Sequence, residues 1–235
     1  MTNSSRGIKA ALWLLAVLMG TVAGAGAAQN RPAAKKGTAS DHDEMVLIPA
    51  GKFLFGKEDK KTEVDLAAFM IDKYEVTNRQ YAKFNLDHKY EPGMDNLPVT
   101  MVSQIDARTH CEALDKRLPT EQEWEKAARG TDGRAYPWGN KFDLMAAVTS
   151  ETDFGAHPPH PLRGGARKKG KSPFGVMDMS GNVWEWTSSN EGRYFVLRGG
   201  SFFEDRDYAT VTSRLLSIPD DSKDYVGFRC VKGAK

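Results

Sequence analysis

Asp178 and Glu185 bracket the segment Asp178-Met179-Ser180-Gly181-Asn182-Val183-Trp184-Glu185-Trp186. Calcium takes oxygen ligands, and carboxylates mixed with backbone carbonyls suit it. A glycine inside such a segment lets the chain fold tightly enough for a carbonyl to point inward. The competing reading is an Asp-Gly-Asn turn ahead of a strand, with Trp184 and Trp186 as packing residues. A second acidic group, Glu204-Asp205-Arg206-Asp207, offers three carboxylates that a hard ion such as iron(II) or manganese would accept. Histidine would be expected beside them, and His157 or His160 would have to arrive from a distant loop. The alternative is a solvated, self-paired charge cluster. His157-Pro158-Pro159-His160-Pro161 is an extended segment, and proline-rich loops act as semi-rigid spacers. Arg163, Arg167, Lys168, Lys169 and Lys171 form the one basic run, interleaved with glycines. It reads as a solvated loop or as a docking surface for an acidic partner, acting on association rate and weakened by salt.

Cys111 and Cys230 are the only cysteines. Arg6 and Lys9 precede an apolar run from Ala10 to Met19, and small residues from Gly20 to Ala28 offer cleavage after Ala27 or Ala28. This is the pattern of a secretory signal over residues 1–28. The apolar run is too short for a comfortable membrane span, and an uncleaved anchor is the alternative. Export places the chain in an oxidising compartment, expected to be the periplasm, where a lone cysteine pair reads as a disulfide rather than as two buried thiols. His110, beside Cys111, reads as a packed or surface position. Removing residues 1–28 takes away Arg6 and Lys9 and no acid. The 33 Lys+Arg then fall to 31, equal to the 31 Asp+Glu. A neutral mature chain gives no case for nucleic-acid binding.

These residues need a scaffold. Residues 29–43 are polar and Ala/Lys/Gly-rich without apolar period, and read as a flexible linker. Met45 to Gly56 reads as two strands joined by a tight Ala-Gly turn, and Val64 to Lys73 as a third. Thr77 with Gln80 opens a helix to about Leu86. Ser103 with Asp106 opens one to about Leu114, with Ile105, Cys111 and Leu114 as candidate buried positions. Thr120 with Glu123 opens one that Gly130 ends, with Trp124, Ala127 and Ala128 as its packing face. From Thr131 to Arg193 no sustained period is visible. Four of the five tryptophans fall between residues 124 and 186. They favour a loop-rich ordered fold stapled by ions and tryptophans over disorder. Tyr194 to Leu197 and Gly227 to Lys232 read as closing strands.

In order and spacing, several segments resemble the formylglycine-generating enzyme (sulfatase-modifying factor) family. They are Met45-Val46-Leu47-Ile48-Pro49-Ala50-Gly51, Glu75-Val76-Thr77-Asn78, Leu97-Pro98-Val99, Lys116-Arg117-Leu118-Pro119-Thr120-Glu121-Gln122-Glu123-Trp124-Glu125, Ala127-Ala128-Arg129-Gly130 and Tyr136-Pro137-Trp138-Gly139-Asn140. Asp178 to Trp186, Leu197-Arg198-Gly199-Gly200-Ser201-Phe202 and Val226-Gly227-Phe228-Arg229-Cys230 complete the set. The resemblance spans residues 44–233. It implies an α+β fold related to C-type lectins, with little regular secondary structure. It also implies one calcium ion held by the side chains of Asp178 and Glu185 and the carbonyls of Gly181 and Val183. A second calcium site would need an asparagine near Ala147; Asp153 is a possible remnant of it. Cys111 and Cys230 match positions that pair in the similar enzymes.

The active enzymes of that family bind copper(I) through two cysteines after the Gly-Gly-Ser, and soft thiolates are the proper ligands for it. Those places hold Glu204 and Ala209. A carboxylate is a hard ligand and a methyl group is none, so copper is not expected and these catalytic positions are degenerate. Three functions remain in view. One is an exported accessory, maturation or partner-binding protein of another exported enzyme. The second is a metal- and oxygen-dependent oxidase or sulfatase-modifying enzyme with non-cysteine ligands. The third is a ligand-binding or structural subunit, for which Tyr136, Trp138, Trp184, Trp186, Phe202 and Phe203 would line a groove if they are not core.

Overall fold

The computed structural model describes residues 43–57 and 60–234. The signal expected over residues 1–28 and all but the last residue of the linker lie outside the described residues. Among the described residues there are three α-helices and nine strands: β1 Met45–Ile48, β2 Gly51–Phe55, β3 Thr62–Leu66, β4 Phe69–Asp72, α1 Asn78–Phe84, α2 Gln104–Glu112, α3 Glu121–Arg129, β5 Trp184–Glu191, β6 Tyr194–Arg198, β7 Arg214–Ser217, β8 Val226–Gly227 and β9 Val231–Gly233. The architecture is α+β, with long irregular segments between short elements.

All three helix starts carry reciprocal capping boxes, Thr77 with Gln80, Ser103 with Asp106 and Thr120 with Glu123. Each box satisfies two N–H groups that the first turn leaves orphaned. Gly130 ends α3 at φ 74°, a conformation glycine adopts without steric cost. The buried face of α2 is Gln104, Ala107, His110 and Cys111. Ile105 and Leu114, expected inside, are 42 % and 52 % exposed: Ile105 lies off that stripe, and Leu114 falls beyond the end of α2 at Glu112, where the helical spacing no longer places it.

The strands differ from expectation in their partners. β1 and β2 do not form a hairpin. β1 pairs antiparallel with β4, which also pairs with β9, and β2 pairs with β3. The turn between β1 and β2 carries Gly51 at φ 125° and hands the chain from one sheet to another. The strand expected over Val64 to Lys73 divides into β3 and β4 for the same reason. The third sheet runs β7-β6-β5-β8, with β5 and β8 parallel. β5 fell inside the stretch expected to lack elements. Its first four residues are all buried, and its register shifts between Trp186 and Asn190, so no two-residue alternation marks it. The last closing strand is split into β8 and β9 by Phe228, Arg229 and Cys230, all wholly buried.

Cys111 on α2 is bonded to Cys230, with Cα atoms 5.7 Å apart. The bridge lies in one apolar cluster with Val76, Tyr81, Val99, Trp184, Trp186 and Phe228. A second cluster gathers Trp124, Ala127 and Ala128 of α3 with Ile48, Phe69, Ile71 and Met179. Trp184, Trp186 and Phe202 are therefore core, not groove.

Buried ions hold the loops. Glu125, with no exposed surface, accepts from the Gly56 N–H at 2.7 Å, from Arg129 Nη1 at 2.6 Å and from Arg198 Nη2. Arg129 also donates to the carbonyls of Leu54, Gly56, Gly133 and Arg134. Arg198 reaches the carbonyls of Val211 and Thr212. One carboxylate thus joins α3 to β6, to the end of β2 and to two loops. Glu125→Ala should cost about 3–5 kcal/mol, since it leaves Arg129 buried without a counter-charge and Arg198 with only Glu121, at 3.7 Å; the denaturant midpoint measures it. Replacing both cysteines by serine reopens a loop of 119 residues. It should lower stability by about 3–4 kcal/mol and the melting temperature by roughly 10 °C, read by thermal unfolding with and without reductant.

Candidate functional site

The segment ahead of β5 is a turn built from left-handed residues: Asp178 at φ 59°, Gly181 at 79° and Asn182 at 67°. Asp and Asn tolerate that region better than other side chains. At Gly181 a Cβ would fall 2.2 Å from the Val148 carbonyl oxygen, so only glycine fits. The turn is locked by Asn182 N–H donating to Val148 O, Gly181 N–H to Gly199 O, and Phe202 N–H to Asn182 O. It therefore fixes the Gly-Gly-Ser loop against the loop at 148.

Three carboxylates surround one guanidinium here. Arg229 Nε and Nη2 bind Glu185 as a fork, both at 2.7 Å, and Trp124 Nε1 donates to Glu185 at 2.8 Å. Glu75 Oε2 lies 4.0 Å from Arg229 Nη2 and has no hydrogen-bond partner among the described residues. Glu75 Oε1 accepts from Asn182 Nδ2 at 2.9 Å. Asp178 Oδ2 accepts from the Gly165 N–H at 2.6 Å. Glu75, Asp178, Glu185 and Arg229 are all buried. Burial raises the Asp178 carboxyl to about 6. Burial, reinforced by the Asp178 charge, raises Glu75 well above the usual carboxylate range.

The donor set suits a hard cation. The site holds more buried negative charge than Arg229 offsets, and an isolated buried charge is costly. Glu185 still has a lone pair beyond its three hydrogen bonds. No three His, Cys, Asp or Glu side chains gather in metal-binding geometry among the described residues. The ligands that the resemblance implies for an ion here are Asp178, Glu185 and the carbonyls of Gly181 and Val183. Sequence reasoning missed Glu75, Asn182 and Arg229 as partners. The available signal was a charged residue within apolar neighbours, as in Val226-Gly227-Phe228-Arg229-Cys230.

Glu204 is turned inward. Its Oε1 accepts from Trp184 Nε1 at 3.0 Å and its Oε2 from the Ser201 hydroxyl. Ala209 is 1 % exposed, and its carbonyl accepts from the Ser180 hydroxyl. Arg206 pairs with Glu151 instead of its own acidic neighbours, so the cluster 204–207 is not self-paired. Phe203, 64 % exposed, stacks on Tyr225 at 5.7 Å. Tyr136 stacks on Trp138 at 5.3 Å, and its ring meets Phe142 edge-on.

His157 and His160 have ring centroids 6.3 Å apart, and His160 Nδ1 bonds to the Pro158 carbonyl. His110 is buried and stacked on Tyr81, with its ring held neutral to about pH 4 by burial. Ala147 is buried, and exposed Asp153 accepts from the Gly155 N–H. In the basic run Arg163, Lys168, Lys169 and Lys171 are exposed and Arg167 half-buried. Lys169 alone of the five has a carboxylate within ion-pair reach among the described residues, Asp143 at 3.7 Å.

Comparison with known proteins places this arrangement. A family model described as the sulfatase-modifying factor enzyme 1-like domain matches residues 30–234. YfmG of Bacillus subtilis, an uncharacterized protein, is 31 % identical across 82 % of this chain and 55 % of its own length, so the chain spans about half of that relative. The protein called inactive C-alpha-formylglycine-generating enzyme 2 of Bos taurus is 31 % identical across 81 % of this chain and 88 % of its own. The solved structure of PvdO from Pseudomonas aeruginosa superposes with a TM-score of 0.69 at 20 % identity, covering 81 % of this chain and 94 % of that one. The fold is thus the C-type-lectin-like α+β fold of formylglycine-generating enzymes. With the matched segments, the turn at 178–186 and the loop at 199–209 all in place, the chain belongs to the family of sulfatase-modifying factor enzyme 1-like domains.

Proposed function

We propose that this chain is an exported, partner-binding member of its family that does not generate formylglycine. The observation that carries the reading is at Glu204. Its carboxylate is occupied by Trp184 and Ser201, where copper chemistry would need a thiolate. Both cysteines of the chain are joined to each other, which leaves no free thiol to replace it. The secretory pattern of residues 1–28 supports export to the periplasm. The exposed cations Arg163, Lys168, Lys169 and Lys171, with Arg167, are the surface we assign to an acidic exported partner, for which this domain serves as an accessory or maturation factor.

We also assign one calcium ion to Asp178, Glu185 and the carbonyls of Gly181 and Val183. Its role is structural. It neutralises the buried acids and fixes the turn that carries the Gly-Gly-Ser loop. A ligand that binds only the folded state stabilises by mass action, about 2.7 kcal/mol at a hundredfold excess over Kd. Chelation should therefore lower the melting temperature by several degrees and calcium should restore it. In Asp178→Asn the calcium response should vanish; a chelator-insensitive wild-type melting curve sinks the assignment.

Mass spectrometry of a cysteine-containing sulfatase-type peptide, incubated with the protein, copper and oxygen, tests the loss of catalysis. The expected product is unmodified peptide, and conversion to formylglycine overturns the reading. Cross-linking in periplasmic extract should trap an exported protein, and Lys168→Glu/Lys169→Glu/Lys171→Glu should abolish the trapping. A cross-linking yield unchanged by that variant removes the basic run from the interface.

A further inference from the structure

A cavity of about 520 Å³ opens between Lys57 and Lys61, the loop after α3 and the loop before β7. Its walls are polar. Thr210, Thr212 and Ser213 contribute hydroxyls, with Thr210 Oγ1 at 2.8 Å from Ser213 Oγ and 3.3 Å from Thr212 Oγ1. The Asn140 side-chain oxygen accepts from the Ala135 N–H at 3.1 Å, which orients its amide in the same wall. At the rim stands the ring of Tyr208, 53 % exposed.

Among the described residues, four cations line this cavity against one carboxylate, Asp207. Arg129 is held by Glu125 and backbone carbonyls, and Arg214 is paired through Nε and Nη2 with Glu121 and Glu191. Lys57 and Lys61 have no carboxylate within ion-pair reach among the described residues. Lys61 Nζ makes one bond, to the Gly133 carbonyl at 3.1 Å, which holds the ammonium at the cavity while leaving two of its donors unused.

We propose that this cavity binds a saccharide carrying one anionic group. The three hydroxyls and the amide match the alternating donors and acceptors of a sugar ring. The Tyr208 face covers the apolar side of a pyranose, an amphipathic role for which tyrosine is suited. Lys57 and Lys61 take the anion as point charges. The volume falls within the ordinary range for small-ligand sites, roughly 300–1,000 Å³. An apolar ligand is excluded, because it would strip these polar groups of water without replacing their hydrogen bonds. The site lies apart from the basic run at 163–171, so its ligand is a second partner, independent of the acidic protein proposed above.

Titration of ¹⁵N-labelled protein, followed by amide chemical shifts, tests this with glucuronate, glucose 6-sulfate and glucose 6-phosphate as separate probes. Glucose and inorganic sulfate are the controls. At least one of the three should saturate shifts at residues 133–140 and 207–213. Glucose and inorganic sulfate should each bind about tenfold more weakly or less, a factor of ten being 1.4 kcal/mol. Lys61→Ala and Tyr208→Ala should each weaken the best probe about tenfold while melting temperature stays unchanged. The arm that saturates identifies the anion as carboxylate, sulfate or phosphate. The proposal is overturned if none of the three saturates, if inorganic sulfate binds as tightly as the best saccharide, or if Lys61→Ala leaves the best probe's affinity intact.

Discussion

Arg229 sits in the centre of the domain with every N–H of its guanidinium in use. Nε and Nη2 hold Glu185, Nη1 holds the carbonyls of Asp72 and Lys73, and Nη2 also holds the carbonyl of Met177. Those acceptors come from the end of β4, from the chain entering the turn at 178 and from β5. In a fold with short strands and long loops, many buried carbonyls have no ladder partner, and an unpaired buried carbonyl is costly. A guanidinium answers that need because its rigid fork donates in several directions at once. Arg129 and Arg198 do the same around Glu125. The domain thus replaces part of its regular secondary structure with three buried arginines and the carboxylates they gather, Glu125 and Glu185 at the closest range.

This explains which parts of the fold were legible in the sequence. Helix starts are local: Thr77, Ser103 and Thr120 satisfy their own first turns, so residue type and spacing three positions apart sufficed. The strands of the first sheet were visible as apolar segments, but their pairing depends on residues more than a hundred positions away, as in β4 with β9. β5 was hidden because consecutive residues on both its faces are buried, which removes the alternation a half-buried strand displays. Ile105 and Leu114 misled because Ala107 and Cys111, tied to Cys230 in the apolar cluster, decide which side of α2 turns inward, and the helix stops before Leu114.

The candidate site was partly legible for the same reason. Asp178, Gly181 and Glu185 lie within one short segment, and their turn could be read from glycine and asparagine. Glu75 and Arg229 could not be attached to it, since nothing in a linear sequence states that residues 75, 178, 185 and 229 meet. The fate of Glu204 was equally non-local. Read along the chain, it belongs to an acidic cluster. In space it faces Trp184 and Ser201, while Arg206 turns away to Glu151. A carboxylate with two protein donors is a satisfied group, and it fits the scaffold without the strain that an orphaned charge would impose.

The placement of residues 226–233 has a consequence for when this domain can form. They supply β8 beside β5, β9 at the edge of the first sheet, half of the disulfide and the arginine on which the centre closes. All lie far along the chain from the segments they meet: Arg229 is 44 residues from Glu185, and Cys230 is 119 from Cys111. Contacts of such sequence separation are slow to form, because the whole intervening loop must be ordered before they reward it. Until then Glu185 has no counter-charge and Cys111 no partner. The domain would therefore acquire its core and its bridge together, in one late step that brings these residues to their partners.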